Sequence, residues 1–258
     1  MIFRSIIDFG RRAAAETTAL LLLGVVFFAL SASPAAAQKK YSQNFPAGEN
    51  VRLQLTNRMG TVTVEGWDRP MVNITALLEA PAAAIRPQIV DGTITIDVMR
   101  DNNGRGDVGN VNFHVRVPYY SLVDIETRIG NLSVSNVRSG LVRAHISSEG
   151  DITLTNIISS FVAAENVSGD IFFDGPIVAG GTYRFTSVAG RISLRIPFPS
   201  SFKFMATAPS TRSINLGSFS GANMRVIGDG RRIVGQAGDG NAYVSVTNQQ
   251  GVIAFITR

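Results

Sequence analysis

The chain has no cysteine and only two histidines in 258 residues. Without cysteine there are no disulfides, no thiolate ligands and no thiol nucleophile, so stability must come from burial and hydrogen bonding. The two histidines, His114 and His145, give too little material for a histidine metal site or a hydrolytic triad. Charge is also scarce, at 17% of residues. The formal net charge is +5, and it falls to +4 once Arg4, Arg11 and Arg12 are set against Asp8 and Glu16. Beyond residue 37 the basic residues adjoin only at Lys39-Lys40 and Arg231-Arg232. A nucleic-acid reader concentrates its positive charge on one face or run, so no nucleic-acid partner is expected.

Long apolar runs are scarce as well, and the one that exists sits at the start. Arg4, Arg11 and Arg12 precede the 12-residue run Ala19 to Leu30, and Ser31-Ala32-Ser33-Pro34 breaks it before Ala35-Ala36-Ala37. A basic region, an apolar run and small residues at −3 and −1 are the layout of a cleaved secretory signal. As a helix the run would reach about 18 Å, short of the ~30 Å hydrocarbon core, so an uncleaved anchor is disfavoured. The expected division is a signal over 1–37 cleaved after Ala37, a polar leader over 38–50, and one domain over 51–258. No transmembrane span is expected after cleavage, and the protein is expected to be exported to the periplasm or the cell surface.

What the chain has in quantity is glycine, 25 residues, together with short alternating runs of apolar and polar residues. Val51 to Leu55, Thr61 to Val64, Met71 to Leu77, Thr93 to Val98 and Val111 to Val117 all carry the two-residue period of half-buried strands. Pro81 and Pro87 leave no room for a useful helix between them. From Val123 to Leu194 one phrase recurs around Gly130, Gly150, Gly169 and Gly190, spaced 20, 19 and 21 residues apart. Leu53 to Val64 and Val244 to Phe255 match position by position, adding Gly60 and Gly251 as first and last coils. At +2 and +4 from the glycine the six copies hold Val62/Val64, Leu132/Val134, Ile152/Leu154, Ile171/Phe173, Ile192/Leu194 and Ile253/Phe255, all apolar. Side chains alternate along a strand, so this column points to one continuous core, worth roughly 1.5–3 kcal/mol per large side chain before chain entropy. The glycine itself suits a turn or bulge with positive φ.

The column at −7 and −5 is apolar in five copies and broken in one, by Arg143 and His145. Shifting that strand by one residue restores Val142, Ala144 and Ile146. An extra residue before Gly150 therefore predicts a bulge, with Arg143 and His145 facing solvent. A coil of about 20 residues has a contour near 65 Å, suited to two short strands and two turns. The fold class expected is all-β, a single-domain β-solenoid (β-helix or β-roll) of roughly 20-residue coils. The alternative is a two-sheet β-sandwich, which regular short strands also suggest.

Candidate chemistry is thin. Asp151 and Asp170 occupy one slot, +1, in successive coils, where paired carboxylates could serve a glycosidase or a calcium-dependent lyase. Asn131 and Arg191 fill the same slot, which favours ordinary turn residues. Asp101 to Asp107 has the look of a calcium loop, but Arg105 takes a ligand position and Asn112 stands where the closing glutamate belongs. Arg105-Gly106-Asp107 matches an integrin-binding tripeptide, a match short enough to arise by chance. Trp67 reads as a plug over one end of the solenoid. Tyr119, Tyr120 and Phe198, beside Pro118 and Pro197, read as corner packing, with an exposed aromatic strip for a glycan or protein as the other reading. No residue is assigned as catalytic, cofactor-binding or metal-binding.

The phrase Leu55-Thr56-Asn57-Arg58-Met59-Gly60-Thr61-Val62-Thr63-Val64-Glu65-Gly66-Trp67-Asp68 resembles the opening of a bacterial family described as putative adhesins, the domain of unknown function 4097. Val117-Pro118, Gly130-Asn131-Leu132, Gly150-Asp151-Ile152 and Gly169-Asp170-Ile171 are similar to that family's ladder. The likeness runs from about Val51 to Arg258. It implies an exported β-solenoid at the cell envelope or surface and supplies no catalytic residues. Three functions follow as readings: a non-enzymatic binding or structural module for an envelope glycan or protein, a carbohydrate-active enzyme on a β-helix, and an envelope sensor.

Overall fold

The computed structural model describes residues 38–221 and 223–258. The expected signal over 1–37 lies outside the described residues. No helix among them is long and apolar enough to cross a membrane.

The six copies of the phrase stack as six coils of a β-solenoid. The strands preceding the glycines are Arg52–Met59, Leu122–Ile129, Val142–Glu149, Phe161–Ser168, Thr182–Ala189 and Tyr243–Asn248. They are parallel neighbours in an 11-stranded upstream sheet. The strands following the glycines are Val62–Trp67, Leu132–Ser135, Ile152–Thr155, Ile171–Asp174, Arg191–Ile196 and Val252–Thr257. They are parallel neighbours in a 10-stranded downstream sheet. All twelve residues of the +2/+4 column are buried, and they meet the buried upstream column across one core. Phe173, for example, lies 5.9 and 5.3 Å from the rings of Tyr183 and Phe185.

The glycines carry a second constraint besides φ. Gly60, Gly130, Gly150, Gly169 and Gly190 have φ between 113° and 147°. A Cβ on Gly130, Gly150, Gly169, Gly190 or Gly251 would also lie under 3.0 Å from the carbonyl of the glycine one coil before it. The glycines thus form a stacked spine in which each backbone occupies the space of the next side chain. Gly251 lacks the positive φ and is held by this close approach alone.

The bulge lies where the spacing predicts. Val142–Glu149 shifts register against both neighbouring strands between Ile146 and Glu149. Val142, Ala144 and Ile146 are buried, whereas Arg143 and His145 sit half-exposed on the outer face. Arg143 donates from Nη1 to Asp124 Oδ1 at 3.0 Å.

The ends differ from the expectation that Gly60 and Gly251 open and close the stack. A further coil lies outside each. Thr93–Asp97 and Val111–Pro118 pair in parallel with the strands flanking Gly60. Phe202–Thr207 and Ile214–Asn215 pair in parallel with those flanking Gly251. The chain leaves the stack, builds the outer coil and returns inside it, so sequence order and stacking order part at both ends. Antiparallel strands extend the sheets further. Met71–Leu78 and Lys39–Pro46 continue the downstream sheet. Gln88–Val90 lies at one edge of the upstream sheet, with Arg232–Ala237 and Asn223–Ile227 at the other. The segment expected as a polar leader is therefore an edge strand over Lys39–Pro46, and its polarity reflects that position: Phe45 is its one buried residue. The four residues Val98–Asp101 form the only α-helix among the described residues.

Candidate functional site

The coils of Gly130, Gly150 and Gly169 turn a corner six residues after the glycine, and the residues there set up a third side of the solenoid. Asn136 and Asn156 adopt φ of 59° and 54°, the left-handed region that asparagine tolerates. Asn156 Nδ2 donates to Asn136 Oδ1 at 2.8 Å. Gly66 and Gly175 take the same column, where a Cβ would strike the carbonyls of Asn136 and Ile157. Past the corner Val137 and Ile157 turn into the core, and Arg138–Ser139 pairs in parallel with Ile158–Ser159 as a two-stranded strip.

Beside this strip lies a hollow of about 640 Å³, lined by Tyr120, Leu122, Arg138, Ile158, Val178 and neighbouring small polar residues. Tyr120 is 49% exposed and Ile158 36%, so apolar surface faces solvent there. Arg138 is the one charged residue in the lining. The hollow is held from beneath by the buried Tyr183. Its hydroxyl donates to Ser159 O at 2.7 Å and accepts from Val178 N at 2.8 Å, tying two wall segments together. Burial pushes the Tyr183 phenol pKa up from its ordinary value, and the bond from Val178 opposes that rise.

A second hollow of about 210 Å³ shares Tyr120 and is lined by Glu49, Trp67, Asp68, Arg69 and Tyr119. Trp67 Nε1 donates to Met71 O at 2.8 Å, which fixes the indole against the turn that joins Val62–Trp67 to Met71–Leu78. The guanidinium carbons of Arg69 and Arg116 lie 5.2 and 5.6 Å from its ring, and that of Arg138 lies 5.4 Å from Tyr119. Trp67 is therefore not an end plug. It belongs to an aromatic–arginine corner, with cation–π contacts that order the arginines while leaving N–H donors for a ligand. Tyr119 and Tyr120 join this corner, whereas Phe198, 66% exposed, packs near Phe219 with ring centroids 6.5 Å apart.

The other candidates separate. His114 lies on the downstream sheet beside Glu65, with Nε2 3.7 Å from its Oε2, and His145 lies on the upstream sheet. Asp151 and Asp170 do stack, but as scaffold. Asp151 N donates to Asn131 Oδ1 at 3.0 Å, Asp170 N to Asp151 Oδ1 at 2.7 Å and Arg191 N to Asp170 Oδ1 at 2.8 Å. The slot is a ladder in which each side chain caps the next coil's backbone. Arg105 is tied to Ala82 O and Asn102 Oδ1, and Asp107 Oδ1 accepts from Gly109 N, so the tripeptide serves its own loop. Among the described residues no group of three or more His, Cys, Asp or Glu is placed to hold a metal ion.

One column escaped the sequence reading. Three residues before the glycine stand Asn57, Thr127, Asn166, Ser187 and Asn248, all buried. Asn166 Nδ2 donates to Gly150 O at 3.1 Å and Asn248 Nδ2 to Gly190 O at 2.9 Å, satisfying carbonyls of the glycine spine. A small hydrogen-bonding residue at that slot in all six copies, Ser147 included, was the available signal. In the bulged coil the register moves Ile146, not Ser147, opposite Thr127.

These features define an open β-solenoid module whose coil corners carry an aromatic and basic surface. The family model described as Toastrack DUF4097 matches residues 52–254, and the chain belongs to that family. Among solved structures it is similar to a putative cell adhesion protein from Clostridium sporogenes, at 12% identity and a TM-score of 0.47, over 86% of this chain and 99% of that one. It is also similar to a putative adhesin from Bacteroides fragilis, at 10% identity and a TM-score of 0.36, over 86% and 99% of the two chains. A putative adhesin from Parabacteroides distasonis follows at 8% identity and a TM-score of 0.30, over 86% and 98%. No curated protein matches the chain.

Proposed function

We propose that the protein is an exported, non-enzymatic binding module of the cell envelope or surface, which takes an envelope glycan or protein segment along the third side of its solenoid. The observation that carries this reading is the pair of hollows sharing Tyr120, where exposed apolar and aromatic surface meets Arg138 and Arg69. Aromatic faces and guanidinium donors suit the apolar faces and hydroxyls of sugars, or the side chains of a polypeptide. The basic, apolar and small-residue layout of residues 1–37 supports export. The carbohydrate-active enzyme reading is weaker, because the Asp151 and Asp170 carboxylates are engaged by backbone N–H groups of the ladder. A binding screen of the full chain, expressed with its own leader, against envelope fractions and glycans tests the proposal. Binding that Tyr120→Ala and Arg138→Ala together reduce at least tenfold is expected. Absence of binding to every fraction would overturn it.

A further inference from the structure

An open stack of sheets has edges, and an edge strand with free N–H and C=O groups invites pairing unless it is guarded. The two sheets have four edges. Lys39–Pro46 is guarded by Lys39, Lys40 and Pro46. Ile214–Asn215 and Gln88–Val90 are only two and three residues long. Asn223–Ile227 is different: it has five residues, every one exposed, and no strand beyond it among the described residues. It has no proline and one charge, and it exposes Val226 at 63%, Ile227 at 44% and Met224 at 39%.

The two faces of this edge differ in chemistry. Register with Arg232–Ala237 sets Met224 beside Gly235 and Val226 beside Ile233, on the face that continues the core. Arg225 beside Val234 lies on the outer face, as does Ile227 beside Arg232. A hollow of about 410 Å³ on that outer face is lined by Lys203, Met205, Asn223, Arg225, Val234 and Tyr243, placing two cations around apolar surface.

We infer that Asn223–Ile227 is a docking edge for an extended segment of another polypeptide, one that alternates apolar and acidic residues and adds itself to the upstream sheet. Main-chain hydrogen bonds would supply the pairing and the two faces the selectivity. An incoming apolar residue would sit against Met224 or Val226 and finish the open end of the core. An incoming carboxylate would sit on the other face opposite Arg225. A second copy fits less well. Antiparallel self-pairing over all five residues is centred on Arg225 and sets it against its own copy, like charges directly opposite. Other registers shorten the ladder.

The probe is a synthetic peptide of alternating valine and glutamate, compared with its valine–lysine counterpart and a scrambled sequence, added to the full chain. The glutamate peptide is expected to bind at least tenfold tighter than the other two, and to slow amide exchange at Asn223–Ile227. Arg225→Glu, an exposed substitution whose thermal melt should match the parent, is expected to reverse the preference toward the lysine peptide. Val226→Lys is expected to weaken both. Equal binding of the three peptides, or exchange protection elsewhere, would overturn the inference. So would self-association lost on Val226→Lys, which would assign the edge to a second copy, or binding only to phosphatidylglycerol vesicles, which would assign it to a membrane surface. The edge and the corner hollows share no residue, so Tyr120→Ala should leave peptide binding intact and either reading can fail alone.

Discussion

Gly150 separates two demands that a sequence cannot distinguish. Its φ of 147° is one, and the carbonyl of Gly130 in the space of its missing side chain is the other. Gly104 has φ of 84° but nothing near the position of a Cβ. Gly104→Ala should therefore carry only the backbone strain, about 1–3 kcal/mol. Gly150→Ala should exceed it, because two coils must separate, and chemical denaturation of both variants reads the difference. Equal losses would show that the spine is a turn requirement and nothing more. Tyr183 is a second case at this scale. Tyr183→Phe keeps the packed ring but leaves Ser159 O and Val178 N without their partner. The expected cost is about 1–3 kcal/mol, with faster amide exchange at Val178.

At the scale of the strand and its turn, the bulge before Gly150 is one residue inserted into an otherwise regular phrase. Removing Ser147 leaves Ile146, Ser148, Glu149 and Gly150, the spacing that Thr127 to Gly130 already adopts in the adjoining coil. The deletion should cost about 1 kcal/mol or less, read by chemical denaturation, and leave the His145 side chain on the outer face, checked by NMR. Loss of folding would mean that the extra residue is itself required. This rung was legible in the sequence because burial forces a two-residue period on every strand, so Arg143 and His145 could face inward only at great cost. The inward columns and the parallel stacking were legible for the same reason. The corner hollow was not. Arg138 and Ile158 share one slot of successive coils, but a charged and an apolar residue there form no column, and Tyr120 reaches them from a separate corner only once the coils are stacked. Trp67 was misread as an end plug because its distance from the stack's end depends on where Val111–Pro118 inserts. That insertion is a matter of topology, which strand periodicity does not encode.

The re-entrant topology governs how the whole molecule should respond to shortening. A simple solenoid loses a terminal coil and keeps the rest, since each repeat contacts only its neighbours. Here Tyr243–Asn248 lies between Thr182–Ala189 and Phe202–Thr207, and Val252–Thr257 lies between Arg191–Ile196 and Ile214–Asn215. Removing residues 243–258 thus empties a rung inside the stack and takes away the buried Val244, Val246, Ile253 and Phe255. At roughly 1.5–3 kcal/mol each, those four side chains weigh as much as the whole stability of an ordinary domain, about 5–15 kcal/mol. Removing residues 38–47 instead strips an edge strand whose one buried residue is Phe45. The chain ending at residue 242 should show no cooperative unfolding transition, whereas the chain lacking 38–47 should keep one at a lower denaturant midpoint. A cooperative transition in the former would mean that Phe202–Thr207 can close directly onto Thr182–Ala189, and that the last coil is an ornament of the stack and not its keystone.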